Sequence, residues 1–556
     1  MCASILLDLS TYLKLLAKMN LPKLQSAQSW DQLRKDESFW EALRQDILPQ
    51  HLYHCRWFGG KASVVQQVFF SQKLLLKSGF QHYYLLLIEV FFRESYAHNY
   101  FLPLAIAESR EKLPAQAVLA EIQLADGSFY LIDAVHDSGF HAALFRKIVN
   151  HEMLMEGNNR VFFRAHQELE MEPEGFRSQL LNAEQSNSTL IIQDRYYLKI
   201  FRRLFRDKNP DFEMNEFLAQ QKLFENYPKL AGLIWWEPGP GVNISLGLMQ
   251  EKVPNEGDAW PWMLKEVEQY FKNGDLAGLS AIDKWPLVSP LKISKLPAAL
   301  QQNPGLDFFK RIRTLAQRTA EMHLALAAVK RDRHFAPINY NGDFTVWLKN
   351  RLIYQFDARY NLLNKKLESL PENARLLAEK VLEQKDLIIN FILGFDEEQL
   401  RSLRIRIHGD YHLGQILIQG HDFFILDYEG EPESTIRDRK VKQSPLKDVA
   451  GLLRSFHYAI HAVQKNQNLR SLEHQAAGQS LYQAISGVFL HSYFKIAFQQ
   501  QLDIGYRKEI TYLLHYFLLE KAIYELGYEL NGRPDWAIIP LEGILDITDE
   551  IKRHAY

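Results

Sequence analysis

The stretch from Leu403 to Pro432, LRIRIHGDYHLGQILIQGHDFFILDYEGEP, constrains this chain more than any other. Leu403–Ile407 alternates as a strand does and runs into His408-Gly409-Asp410. Ile416–Ile418 and Phe423–Leu426 flank Gln419-Gly420-His421-Asp422 in the pattern of a hairpin, and Asp427 sits just past its second strand. Two carboxylates are therefore expected on loop ends beside one sheet, with the amide of Gln415 between them. Phosphoryl transfer calls for that combination. One carboxylate orients and deprotonates an attacking hydroxyl, while a second carboxylate and an amide oxygen hold Mg²⁺ against nucleotide phosphates. Asp410 is the expected base, and Gln415 and Asp427 are the expected metal ligands.

The same spacing, Asp, four residues, an amide side chain and a later Asp, belongs to kinase catalytic and metal loops, with Gln415 here in place of asparagine. Such a site also needs a lysine on a strand of the other lobe, paired with a helical glutamate. Lys199 lies in the strand-like run Tyr196–Phe201, and Asn209-Pro210-Asp211 reads as a helix start with Glu213 in its first turns. No glycine-rich loop precedes Lys199. Glu184–Ser188 stands in that place, and Gln185, Ser186, Asn187 and Ser188 offer N–H and side-chain donors to phosphate. Gln250, Glu251 and Val253 lie in the expected hinge, whose backbone would meet an adenine edge.

The rest of the chain supports a folded two-lobed protein. Of its 556 residues 47% are hydrophobic and 24% charged, which excludes a disordered or fibrous chain. Lys+Arg 65 against Asp+Glu 67 shows no basic surplus, so nucleic acid is not an expected partner. Cys2 and Cys55 cannot build a disulfide framework, which fits a reducing compartment. The apolar run Tyr83–Phe92 is too short to span a bilayer, and the N-terminus lacks the basic start and cleavage site of a signal peptide. A soluble, cytoplasmic protein without a membrane partner is expected.

Short strand-like runs fill residues 30–160 and 189–253, and helical periodicity marks 307–329, 344–366, 375–394 and 446–530. This is an α+β reading with a strand-rich and a helix-rich lobe. His51, His54 and Cys55 lack a fourth partner for a metal site, and Trp235, Trp236, Trp260 and Trp262 read as core or hinge packing. On the helix expected from Thr511 to Leu530, Leu519, Ile523, Leu526 and Leu530 share one face, with Lys521, Tyr524, Glu525 and Tyr528 opposite. A polar face bearing aromatic rings suits a disaccharide, and equally suits solvent.

The run HGDYHLGQILI…FFILDYEGEP, followed by Ser444–Ser455, closely resembles bacterial maltokinases. So do Arg56-Trp57-Phe58-Gly59-Gly60-Lys61, Glu184–Ser188 with Lys199, Arg318–His323, Lys521–Glu525 and Arg533–Trp536. The chain also resembles the maltokinase part of trehalose synthase–maltokinase fusions. The resemblance implies a two-lobed protein-kinase-like (aminoglycoside phosphotransferase-like) fold with a β-rich cap. It divides the chain into an N-terminal extension at 1–28, the cap at 29–115, a kinase N-lobe at 116–254 and a helical C-lobe at 255–556. It implies an ATP-dependent kinase using Mg²⁺ and phosphorylating maltose to α-maltose 1-phosphate for α-glucan (glycogen) synthesis, with trehalose synthase as an associated partner. It places Lys199 at the phosphates with Glu213 orienting it, and His408, Lys521, Tyr524 and Tyr528 at the sugar. Asp448 and Arg454 match as structural supports of the catalytic loop. The competing readings are a kinase for glucosamine or an aminoglycoside, whose site would want extra carboxylates, and a non-catalytic regulatory subunit of trehalose synthase.

Overall fold

The computed structural model describes residues 21–111, 113–169, 175–181, 186–282, 285–432 and 434–554. Gln185, Glu184 and most of the expected N-terminal extension lie outside the described residues. The chain forms two compact units, one of Met1–Glu216 and Lys229–Lys252, the other of Phe217–Pro228 and Val253–Tyr556.

The first unit holds two seven-stranded sheets. Strands β1 (Lys23–Gln25), β2 (Val65–Ser78), β3 (Gln81–Phe92), β4 (Ala97–Ala107), β5 (Val118–Leu124) and β6 (Gly127–Asp133) lie in the order β1-β5-β6-β4-β3-β2. The near-continuous apolar run of β3 is explained by its place between β2 and β4 with both faces covered. Tyr84 packs edge-on to Trp40 at 4.9 Å on one face, and the next residue back, Tyr83, meets Phe140 at 5.2 Å on the other. Phe140 belongs to helix α1 (Ser138–Val149). Because β5 and β6 pair into this sheet, it continues past residue 115, and a cap boundary drawn there would cut it in two.

The second sheet runs β7 (Met153–Glu156), β8 (Asn159–Ala165), β13, β14, β11, β10 (Asn187–Ile192) and β9 (Ser178–Leu180). In it β11 is Tyr196–Phe201, β13 is Leu230–Glu237 and β14 is Ile244–Glu251. After β11 the chain crosses to the first sheet, where β12 (Arg203–Leu204) pairs with β4. Arg202, at the crossing, is fully buried and bonded to Asp133 at the end of β6. The Trp57 ring lies 4.3 Å from the Arg202 guanidinium, and Phe58 is buried in the cap core. The Arg56–Lys61 motif thus anchors the cap to the strand crossing. Between the sheets' own segments, helix α2 (Pro210–Gln221) follows β12.

The second unit is mainly helical: α3 (Ala259–Asn273), α4 (Leu306–Ala327), α5 (Gly342–Lys366), α6 (Glu372–Glu383), α7 (Lys385–Leu393), α8 (Leu446–Asn466), α9 (Leu472–Gln499), α10 (Arg507–Gly532) and α11 (Ile538–His554). Two small ladders complete it, β15 (Ile338–Asn339) with β16 (Leu403–Arg404), and the hairpin β17 (Ile416–Gln419) with β18 (Asp422–Ile425). The segment 217–228 is woven into this unit. Phe217 stacks on Phe335 at 3.7 Å, and Asn226 donates to the Phe423 carbonyl while accepting from Ile425 N–H.

The expected strand Leu403–Ile407 is shorter than its alternation implies. Ile405 still exchanges backbone hydrogen bonds with Gln443, but the N–H groups of His408 and Gly409 go to the Asp448 carboxylate. A side chain thereby takes the donors that a neighbouring strand would have used. Among the described residues no helix is long and apolar enough to cross a membrane.

Candidate active site

The second unit assembles a polar site around Asp410. The loop carrying it is pinned at 2.8 and 2.9 Å by the two Asp448 oxygens, which accept from His408 and Gly409 N–H. Asp448 is itself buried on α8 and bonded to His323 of α4, whose other ring nitrogen meets the Tyr493 hydroxyl. Burial pushes the Asp448 carboxyl upward, but the His323 hydrogen bond and charge outweigh it and hold the group below its usual range. Gly409 turns the loop at φ 85, where a side chain would be strained, and a Cβ on it would come within 3.2 Å of the Gly430 backbone. Gly451 plays the matching part on α8, where a Cβ would lie 2.8 Å from the Tyr411 carbonyl.

His408, expected at the sugar, is instead a strut. It is 1% exposed, its Nε2 bonds the Leu426 carbonyl at 2.7 Å, and its rings neighbour Tyr411 and Tyr428. Its imidazole ties the Asp410 loop to the end of β18 and leaves nothing for a substrate. Asp427 follows one residue later in a left-handed conformation, φ 59. Gln415 Nε2 donates to Asp427 Oδ2 at 3.1 Å, so the two expected metal ligands sit in contact. An amide and a carboxylate form an oxygen donor set, which fits a hard cation such as Mg²⁺.

A cleft of about 420 Å³, counted with its mouth, opens beside Asp410; Glu431, Lys447, Glu520, Lys521 and Tyr524 are among its walls. Lys521 Nζ donates to Asp410 Oδ1 at 3.1 Å and stands 4.0 Å from Glu431. Burial lowers the Lys521 ammonium's affinity for its proton, yet the charges of Asp410, Glu431 and Glu525 raise it above the usual lysine range. Tyr524 lies under that ammonium, 4.9 Å from ring centre to nitrogen. Tyr528 lies outside the cleft, 57% exposed, one helical turn on from Tyr524. Arg533 stands over both Tyr528 and Trp536, so aromatic surface continues along α10 beyond the cleft. Arg454 joins α8 to α10 through Glu525 at 2.6 Å.

Two carboxylates on these walls escaped sequence reading. Glu431 lies in the EGEP run, four residues past Asp427, where nothing local shows which way it points. Glu520 adjoins Lys521 and so falls about 100° around the helix from it, a position that a face-by-face reading discards. Both have cations beside them: Glu520 with Lys447 at 2.8 Å, Glu431 with Arg351 at 3.4 Å.

The first unit holds the expected phosphate residues. Lys199 sits mid-sheet on β11, opposite Thr189 of β10 and Leu248 of β14. Its Nζ bonds Asp211 Oδ2 at 3.1 Å, on the helix whose first turn also carries the expected partner Glu213, itself buried. Asp211 is fixed by its own neighbours. Asn209 accepts from its N–H, and Asn215 donates to its carboxylate and in turn accepts from Gln250. Gln250 thus spends its side chain on the Asp211 network, and its backbone is paired in the sheet with Tyr197 of β11 and Leu230 of β13. Glu251 accepts from Gln167, and the Val253 carbonyl accepts from Asn255. Ser186 is exposed, and Asn187 and Ser188 border a cavity with Arg56, Trp57 and His136 of the cap.

Residues 51–137 match the model of the maltokinase N-terminal cap domain. Over 94% of this chain and 99% of the other, the structure is similar to a glucosamine kinase in complex with glucosamine, ADP and inorganic phosphate, with TM-score 0.59 and 16% identity. A second crystal form of glucosamine kinase gives TM-score 0.60 and 17% identity over 92% and 99%. The chain thus shares the fold of these glucosamine kinase structures and carries, at residues 51–137, a segment similar to the maltokinase N-terminal cap domain.

Proposed function

We propose that this protein is a maltokinase, transferring the γ-phosphoryl group of ATP to the anomeric hydroxyl of maltose to give α-maltose 1-phosphate and ADP. One observation carries the reading. The expected base and the expected sugar-binding lysine, 111 residues apart, meet at 3.1 Å in one cleft. Asp410 takes the proton of the attacking hydroxyl, and Lys521 holds the carboxylate in position while offering its other N–H donors to sugar hydroxyls. Tyr524, with Tyr528 and Trp536 further along, supplies ring surface for a second glucose unit. Lys199, steadied by Asp211, binds nucleotide phosphate; Ser186, Asn187 and Ser188 add donors. Gln415 and Asp427 would hold Mg²⁺, which neutralises phosphate charge during transfer. The product feeds α-glucan synthesis in the cytoplasm.

Glu431 and Glu520 favour a second reading. An amino-sugar acceptor wants carboxylates nearby, and the cleft has them. Their pairing with Arg351 and Lys447 argues for the neutral sugar. ADP release with Mg²⁺-ATP across maltose, glucose, trehalose, glucosamine and an aminoglycoside decides between them. Maltose-dependent turnover to a non-reducing phosphate is expected, falling by about 10²–10⁴-fold in Asp410→Asn. Turnover with glucosamine alone would replace the acceptor. ATP binding without any turnover would make the chain a regulatory subunit.

A further inference from the structure

Away from Asp410, a groove of about 730 Å³ runs between α4 and α9 and is closed at one side by the segment around Lys292. Each helix presents a polar stripe to it at intervals of four residues: Arg313, Gln317 and Glu321 from α4, and His491, Lys495 and Gln499 from α9. Its volume lies within the range of small-molecule sites. Its charge is one-sided. Lys292, Arg313 and Lys495 line it, and Glu321, the one carboxylate on its wall, is already bound to Arg318 at 2.7 Å and Gln317 at 2.8 Å. His491 lies close enough to feel two of these cations. Burial, then the charges of Lys292 and Lys495, hold its imidazole below the usual range.

Three cations facing one groove whose carboxylate is already paired offer their charge to an anion. The remaining lining says which anion. Gln499, Gln500 and Ser294 are amide and hydroxyl groups, the complement of sugar hydroxyls. Among the described residues no Phe, Tyr or Trp lines the groove, which disfavours a nucleobase or a neutral glucan needing a broad stacking platform. We propose that this groove is a second, non-catalytic site for a phosphorylated sugar, separate from the cleft at Asp410.

The test is calorimetric titration of α-maltose 1-phosphate and α-glucose 1-phosphate into the intact protein and into Lys292→Glu/Lys495→Glu. Inorganic phosphate and maltose serve as parallel titrants. Both lysines are exposed, so the variant should keep its thermal midpoint and its basal ADP release. Lys292→Ala/Lys495→Ala provides the same readout should the charge reversal misfold. The expected result is one sugar-phosphate binding event fewer, or at least tenfold weaker, in the variants, with the same event weakened by added salt. The readout is the event that the substitutions remove, so it stands whether or not the Asp410 cleft accepts maltose. Identical titrations in wild type and variants overturn the proposal. So does inorganic phosphate binding as tightly as the sugar phosphates, which would mark a bare anion site.

Discussion

His408 and Asp410 stand two residues apart and have different surroundings, because one faces inward and the other the cleft. His408 spends its ring on the Leu426 carbonyl, whereas Asp410 keeps part of its carboxylate open and meets Lys521. Lys521→Met retains the side chain's length and removes only its charge and donors. Steady-state kinetics should show kcat/KM for the acceptor falling roughly 10–100-fold, about 1.4–2.8 kcal/mol of transition-state stabilisation, with KM for ATP little changed. Asp448 is the other decisive single residue. In Asp448→Ala the His408 and Gly409 N–H groups lose their acceptor inside the protein, and denaturant unfolding should show a loss of roughly 3 kcal/mol or more. The folded Asp448 carboxyl sits below its ordinary value, so its contribution is present above about pH 4 and fades as pH falls through the lowered value. The stability gap between wild type and Asp448→Ala should therefore be widest near neutrality and close in acid.

Among the elements, the crossing from β11 to β12 determines how the cap is held. The ion pair of Arg202 and Asp133 is wholly buried, with Trp57 over the guanidinium. Burial pushes the Asp133 carboxyl up, and the Arg202 charge more than reverses this, leaving it low. Arg202→Ala strands a buried carboxylate, for which a cost of about 3–5 kcal/mol is expected in thermal or urea unfolding. Arg202→Met with Asp133→Leu should recover most of that loss, since two apolar groups leave no charge behind. Element type and extent were readable where periodicity was strong. β11 falls on Tyr196–Phe201 as expected, and the helices expected at 307–329 and 344–366 run Leu306–Ala327 and Gly342–Lys366, whereas 375–394 breaks into α6 and α7 at Gln384. Leu403–Ile407 was misread because alternation records which residues face inward, not who accepts their N–H groups. Asp448, some forty residues away, takes two of them.

In the whole chain, sequence order and spatial order part at residues 217–228. This segment lies within the strand-rich half of the sequence but packs with the helical unit through Phe217, Asn226 and their partners Phe335 and Phe423. A polypeptide of 253–556 alone should unfold at lower urea than the full chain's helical unit and expose apolar surface to dye. Adding 217–228 as a peptide should partly restore it. The acceptor cleft depends on chain-wide folding in the same way, for it joins Asp410, Lys447 and Lys521 from three distant stretches. The grouping of Asp410, Gln415 and Asp427 could be read in the sequence because they lie within one hairpin-bearing run, and the side chains of Gln415 and Asp427 meet at 3.1 Å. The charge balance of the cleft and the basic groove between α4 and α9 arise from contacts between residues far apart in the chain. Local patterning reports which face of an element a side chain occupies, and only packing decides what that face meets.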